Sequence, residues 1–335
     1  MVKELNITEE EYRGIKHPSY SLLKRIDNSG PREILKEFKG DSEPMDFGNL
    51  VDCIMLQPDE LDNKFYFKAV EKPTAQLLKL ADFIVDMCKK EDIPLVNLIN
   101  DIDSVSRISD ELNLFGSVKV PETRIKQFNN DLFWGYLQAV SESENKTIFT
   151  SDTLDDAIDA IKILRENDKT AHLFSPAENI DVIDQLKLVG TVAGHEVKGM
   201  LDKVIIDHEN KMITPYDLKC TDVKQRSFPY IFTKMKYYLQ AALYLALVVE
   251  WASKEYPDYV VNEFRFIVYS RNDKYPFVWV VSDTWINNGF HGYVDYKGNN
   301  IKGITGLLDD YYYYVNNQQF TIEKEFIENS ELYLI

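Results

Sequence analysis

Gly199-Met200-Leu201-Asp202, Asp217-Leu218-Lys219 and Gln240-Ala241-Ala242-Leu243-Tyr244 follow one another within residues 199–244. The spacing predicts a strand from Val197 to Ile206, a polar turn at His208-Glu209-Asn210-Lys211 and a second strand from Met212 to Thr221, hence a hairpin. Side chains alternate along a strand, so Asp217 and Lys219 point to one side and Leu218 to the other. Asp202 lies on the partner strand and can face the same side, which brings two carboxylates and an ammonium to one spot. In the helix that follows, Gln240 and Tyr244 are four residues apart and share a face. Hard carboxylate oxygens suit Mg²⁺ or Mn²⁺, and such an ion can hold a phosphate and acidify a water.

Outward from this centre the pattern stays regular. Upstream, Ser151-Asp152-Thr153-Leu154 opens an amphipathic helix with Leu154, Ala157, Ile158, Ile161 and Leu164 on one face, and its acidic first turn suits the helix dipole. Pro176-Ala177-Glu178 leads into a strand from Ile180 to Val189, and Gly190 to Gly194 reads as a turn. Downstream, Pro229 to Ala252 predicts one long helix on which Lys236, Gln240 and Tyr244 recur every four residues. Strands are expected over Val260 to Tyr269 and Phe277 to Ser282, then helix from Asp283 to Asn317 with an interruption near Gly298 to Gly306. Tyr311 to Tyr314 would spread around that helix, which points to packing rather than base stacking. Helix, three-stranded meander, helix and strands together predict an α/β (α+β) fold, a central mixed sheet flanked by helices.

Towards the N-terminus, Ser19 or Ser21 can cap a helix with Leu22, Leu23 and Ile26 on its apolar face. Pro31 to Phe38 is expected to continue it, with a break at Gly40 to Pro44, and Phe47 to Gln57 is an apolar helix ending at Pro58. Helical periodicity returns over Thr74 to Lys89, with further short helices at Ile93 to Leu98 and Asp131 to Val140. There is no internal repeat and no low-complexity linker. The expectation is a single domain over 1–335: an N-terminal helical part at 19–70, a helical insertion at 71–150 and a core at 151–335.

The order G-x-x-D, D-x-K, Q-x-x-x-Y resembles the PD-(D/E)XK nuclease superfamily in its RecB/lambda-exonuclease branch. More narrowly, it is similar to the exonuclease VIII (RecE-like) enzymes of phages and prophages. Phe47-Gly48-Asn49-Leu50-Val51-Asp52 resembles that family's F-G-x-x-x-H motif, with Asp52 where relatives carry a histidine. The resemblance spans roughly residues 19–58 and 150–282. It implies a restriction-endonuclease-like core and a metal-dependent exodeoxyribonuclease that hydrolyses phosphodiesters at the ends of linear duplex DNA. Asp202, Asp217, the Leu218 carbonyl and either Glu178 or Asp52 would hold magnesium or manganese. Lys219 and Gln240 complete the implied catalytic set, and Tyr244, Lys236, Lys224 and Arg226 would touch DNA. On the residues alone, Asp52 reads equally as a solvated or capping residue, and Glu178 as a surface charge. A nuclease for flaps, single strands or internal positions, and a non-catalytic DNA-binding protein, are the alternatives. Relatives work with a single-strand annealing protein in phage recombination, so that partner is implied by analogy, and a homo-oligomer is expected.

Composition narrows the classes further. At 44% hydrophobic and 28% charged, the chain is of ordinary globular make-up. No apolar run is long enough to span a membrane, and Met1-Val2-Lys3-Glu4 does not begin a signal peptide. Three widely spaced cysteines, Cys53, Cys88 and Cys220, point to reduced thiols in a cytoplasm, the host's if the chain is phage-encoded. They also exclude a four-cysteine iron–sulfur cluster built from this chain alone, and no phosphate-binding G-x-x-x-x-G-K-[ST] occurs. A net charge of −17 argues against loose affinity for nucleic acid but not against a local site. From Leu218 to Tyr237 the bases Lys219, Lys224, Arg226, Lys234 and Lys236 face Asp222 alone.

Overall fold

The computed structural model describes residues 2–36, 43–67, 70–71, 73–144, 146–149, 151–175, 177–324 and 326. The chain groups into two compact units, residues 1–57 with 160–335, and residues 58–159. Sequence reading leaves the chain undivided because no composition shift or linker marks either crossing point.

The first unit opens with β1 (Lys3–Glu4) and α1 (Glu9–Gly14), whose Thr8 and Glu11 form a reciprocal capping box. Next come α2 (Tyr20–Ser29), with Ser19 as its N-cap, and α3 (Glu43–Leu56). Residues 31–35 form a 3₁₀ turn rather than a continuation of α2, since Gly30 at φ 86° ends the helix and Pro31 starts anew. Residues 37–42, the end of that expected helix and the first part of the expected break at Gly40 to Pro44, lie outside the described residues, and Pro44 falls within α3.

The second unit holds α4 (Leu61–Lys64), β2 (Phe65–Tyr66), α5 (Ala75–Glu91), α6 (Ile102–Glu111), α7 (Pro121–Phe128), α8 (Asp131–Glu142) and β3 (Thr147–Ile148). It has a core of its own, built from Leu80, Ile84, Val105, Phe128, Phe133 and Leu137. The α6 and α7 helices are short and polar on most positions, so their periodicity is hard to see before the core is known.

The first unit resumes at Ala160, within α9 (Ser151–Glu166), and continues as a meander: β4 (Ile180–Val192), β5 (His195–Asp207) and β6 (Met212–Thr221). Ala193 and Gly194, both with positive φ, make the two-residue turn between β4 and β5. The β4 strand runs through Gly190 instead of turning there. Val2 packs against that glycine where a side chain would stand, and β1 pairs with β4 beside it.

The expected long helix is two, α10 (Phe228–Lys234) and α11 (Tyr237–Glu255), separated by Lys236 in the left-handed conformation at φ 55°. Together they cross over from β6 to β8 (Arg265–Ser270), which pairs with β6 in parallel. The short β7 (Val260–Val261) also pairs with β6, and β9 (Tyr275–Val280) follows β8 antiparallel. The result is a mixed seven-stranded sheet in the order β1-β4-β5-β6-β8-β9, with β7 on β6. Last come α12 (Asp283–His291), the hairpin β10 (Gly292–Val294) and β11 (Asn300–Lys302), and α13 (Ile304–Asn317).

The α11 helix is buried over Tyr238–Tyr244 and again at Leu247 and Val248, which is why it is so apolar, with Leu239, Leu243 and Leu247 in one core with Leu201, Val204, Ile213 and Phe266. Gly199 is where β5 comes nearest to α11: an added Cβ would stand 2.7 Å from Leu247 Cδ1 and 3.3 Å from the Tyr244 ring. In α13, Tyr311 and Tyr314 are buried and Tyr312 and Tyr313 half-buried, which is the packing role expected of them. Among the described residues no helix is long and apolar enough to cross a membrane.

Candidate functional site

The site lies where β5 and β6 part. Their antiparallel pairing runs from Asp207↔Met212 to Lys203↔Tyr216 and stops there. One step further along the same register, Asp202 faces Asp217. From Asp217 onward β6 bonds to β8 alone, so one edge of its backbone is free to meet other groups. Asp202 Oδ2 enters that fork and accepts the Leu218 backbone N–H at 2.9 Å. A residue's N–H and C=O project to the same side of a strand, so the Leu218 carbonyl also opens into the fork.

Asp217 is 2% exposed and tightly held. Gln240 Nε2 donates to its Oδ1 at 2.6 Å, and Lys219 forms an ion pair with its Oδ2. The Lys219 ammonium also sits 5.1 Å from the centre of the Tyr237 ring and 5.9 Å from that of Phe266. Burial alone would lower its pKa, but the charge of Asp217, with Tyr237 and Asp202, outweighs it and holds the pKa well above the usual lysine value. Lys219 is therefore a permanent cation at neutral pH.

Asp202 has the opposite character. Burial, then the charges of Asp217 and Asp52, push its carboxyl well above the usual range, against the pull of Lys219 and the Leu218 N–H. Asp52, from α3, joins this cluster. Its pKa rises to about 7 through burial, with Lys219 opposing and Asp217 reinforcing the shift. Its Oδ1 is buried and finds no hydrogen-bond donor among the described residues. The Asp52 position is fixed by α3 packing on the sheet: Gly48, one turn earlier, leaves only 3.9 Å between an added Cβ and Cys220 Cβ on β6. Phe47 completes the seat between the Tyr269 ring, 6.4 Å away, and the Arg271 guanidinium, 4.5 Å away.

Three carboxylates near one cation, with the Leu218 carbonyl directed into the same fork, make an all-oxygen donor set of the kind that suits a small hard divalent ion. The orphaned Asp52 Oδ1 and the raised Asp202 carboxyl both mark a shortage of positive charge that an ion would meet. Among the described residues, however, no three His, Cys, Asp or Glu side chains stand so that they could hold a metal ion as placed. Protein donors hold the oxygens instead: Lys219 and Gln240 take Asp217, and Leu218 takes Asp202.

Asp202, Asp217, Lys219, Gln240, Leu218 and Asp52 thus come together. Glu178 does not. It is exposed, ahead of the start of β4 at Ile180, and from Ile180 to the position opposite Asp202 the strand rises roughly 16 Å. Its neighbour Pro176 lies outside the described residues. Tyr244 is 7% exposed beneath the sheet, its ring 6.3 Å from that of Phe264, so it supports Gln240 and β5 from below and offers no surface to DNA. Lys236 leaves the Gln240–Tyr244 stripe because it sits in the break before α11, where it pairs with Asp27 of α2. Lys224 and Arg226 are exposed just beyond the end of β6.

Several members escape sequence reading. Tyr20 is buried and donates its hydroxyl to the Met235 carbonyl at 3.0 Å, tying α2 to the break before α11. Lys24, 5.3 Å from the centre of the Tyr20 ring, has its pKa lowered to about 8 by burial and by the charges of Lys219 and Lys236. Ser19-Tyr20-Ser21-Leu22-Leu23-Lys24 was legible as a helix start, but nothing local tells which of its residues turns to the site. Gln185, directly across from Asp202 on β4, likewise leaves no mark in the sequence.

No protein-family model matches this chain and no curated protein matches it, so what can be said of its chemistry comes from the fork between β5 and β6.

Proposed function

We propose that the chain is a metal-dependent deoxyribonuclease with a PD-(D/E)XK core, and that it resects the ends of linear duplex DNA as RecE-like enzymes do. The observation that carries this reading is the fork itself: Asp202 on the Leu218 N–H, beside Asp217 held by Lys219 and Gln240. An ordinary ion pair on a strand explains Asp217 with Lys219. It does not explain Asp52 and Asp202 held beside Asp217 with the carboxyl pKa values of both raised, a cost that folds keep at functional sites.

Asp202, Asp217, Asp52 and the Leu218 carbonyl would hold magnesium or manganese. Bound there, the ion supplies charge for the phosphate and an acidified water. Lys219, cationic at neutral pH, orients the attacking water and meets the negative charge that grows on the phosphoryl oxygens. Gln240 keeps Asp217 in one rotamer. Lys24, Lys224 and Arg226 put positive charge around the fork, where an otherwise acidic protein needs it to receive a DNA backbone. End resection, in place of cutting flaps or internal positions, rests on the likeness of motifs. So do homo-oligomer formation and partnership with a single-strand annealing protein.

The test is digestion of end-labelled linear duplex beside covalently closed circles, with Mg²⁺, Mn²⁺ or EDTA. Nucleotide release from the linear form alone, stopped by EDTA, is the expected result. Cutting of circles would replace end resection with an internal or structure-specific activity. Failure to cut any DNA with either ion would end the nuclease reading.

A further inference from the structure

Gln185, Asp202 and Asp217 lie on one line across β4, β5 and β6. The β4–β5 register pairs Asp184 with Lys203 and Leu186 with Leu201, which leaves Gln185 opposite Asp202, yet the two form no backbone pair. Gln185 takes φ 54° in mid-strand, a left-handed conformation that a residue with a Cβ adopts at a cost. The buried face of the meander changes parity at this point. Leu186 and Leu188 point into the core on β4 where Ile183 does so before them, and on β5 Leu201 gives way to Val204. The kink is thus shared by both strands, and it is what turns Asp202 towards the fork.

The Gln185 side chain follows the same direction. Its Nε2 stands 3.5 Å from Asp202 Oδ1, a long contact, while its Oε1 is buried and finds no hydrogen-bond donor among the described residues. Turning the amide over would set Oε1 against a carboxylate oxygen, so the orphan acceptor is not relieved by a flip. A buried amide oxygen without a partner is costly, and here it belongs to a side chain set against the Asp202 carboxylate.

We propose that Gln185 is a neutral oxygen ligand to the divalent ion of this site, and that β4 keeps its left-handed kink to present it. The inference rests on the metal-dependent reading above. It accounts for the kink and the orphan oxygen together. A neutral ligand also adds coordination without adding to the repulsion between Asp202 and Asp217.

The experiment follows melting of the full chain, stripped with EDTA, against Mn²⁺ concentration for wild type, Gln185→Gly and Gln185→Glu, with isothermal titration of Mn²⁺ as the second readout. Glycine accepts positive φ freely, so Gln185→Gly should melt no lower than wild type in EDTA. It should need about tenfold more Mn²⁺ for half-maximal stabilisation. Gln185→Glu keeps the strain, adds a charged oxygen and should need less Mn²⁺ than wild type. Should wild type bind Mn²⁺ while both variants show its midpoint, or should glycine lower the EDTA melting temperature and leave Mn²⁺ affinity unchanged, Gln185 is a structural residue and only this inference falls. A wild type indifferent to Mn²⁺ would overturn the inference together with the metal-dependent reading.

Discussion

Gln240 donates an amide hydrogen to Asp217 Oδ1 at 2.6 Å, from the first turns of α11 to the middle of the sheet, and both residues are buried. Gln240→Leu keeps the volume and removes the donor. Leaving a buried carboxylate oxygen unpaired costs about 1–3 kcal/mol, to be read as a lower urea midpoint. If Gln240 positions Asp217 for catalysis, turnover on linear duplex should fall roughly 10–100-fold with DNA affinity unchanged. Full turnover per folded molecule would reduce Gln240 to a structural partner.

Asp52 should make the ion-free protein sensitive to pH. Its carboxyl titrates at about 7 in the fold against 3.8 in the unfolded chain, so between those values the native state binds the extra proton. Stability therefore falls as pH rises from about 4 to about 7 and then levels off. Asp52→Asn cannot pay that cost. In EDTA its melting temperature should match wild type near pH 4 and exceed it by a few °C at pH 8, on the order of 1–2 kcal/mol. A difference that stays constant across the range would mean that Asp52 is not buried as a titrating acid.

Lys198 on β5 is 8% exposed and places its ammonium on three carbonyls at the end of α1: Tyr12 at 2.9 Å, Arg13 at 3.1 Å and Ile15 at 2.6 Å. This is a helix C-terminus satisfied by a cation from another element. Lys198→Met should cost about 1–3 kcal/mol and speed hydrogen exchange in α1 most of all. Wild-type exchange in residues 9–15 of the variant would refute the role.

Lys224 and Arg226 are exposed beyond β6, whereas Lys236 is engaged by Asp27. Replacing both Lys224 and Arg226 by Ser should weaken DNA binding and flatten the dependence of log K on log salt by about 0.9 per lost phosphate contact. Lys236→Ser should instead lower stability more than it changes the salt slope. An unchanged slope in the double variant would move the DNA path to another face.

Much of this could be read from the chain alone where the signal is local. The β4–β5–β6 meander follows from alternation and turn residues, and α2, α3, α5, α8 and α9 from their caps and apolar stripes. Asp202, Asp217, Lys219 and Gln240 are legible as a group because strand period and helix period each set a face within a few residues. Asp52 could be singled out as a candidate but not decided, since whether a helix residue meets solvent or a sheet depends on what packs on it.

Tertiary structure alone decided the rest. The parallel seat of β8 beside β6 leaves one edge of Leu218 free, a consequence of which strand closes the crossover and not of any residue near it. At the break before α11, Lys236 pairs with Asp27, a partner distant in sequence. Glu178 falls away from the site because register places Gln185, not the start of β4, across from Asp202. Composition and periodicity dictate which segments are helix or strand and which side chains share a face. The convergence of Asp52, Gln185, Asp202 and Asp217 is a property of how those faces are stacked, and stacking is chosen by burial summed over the whole core.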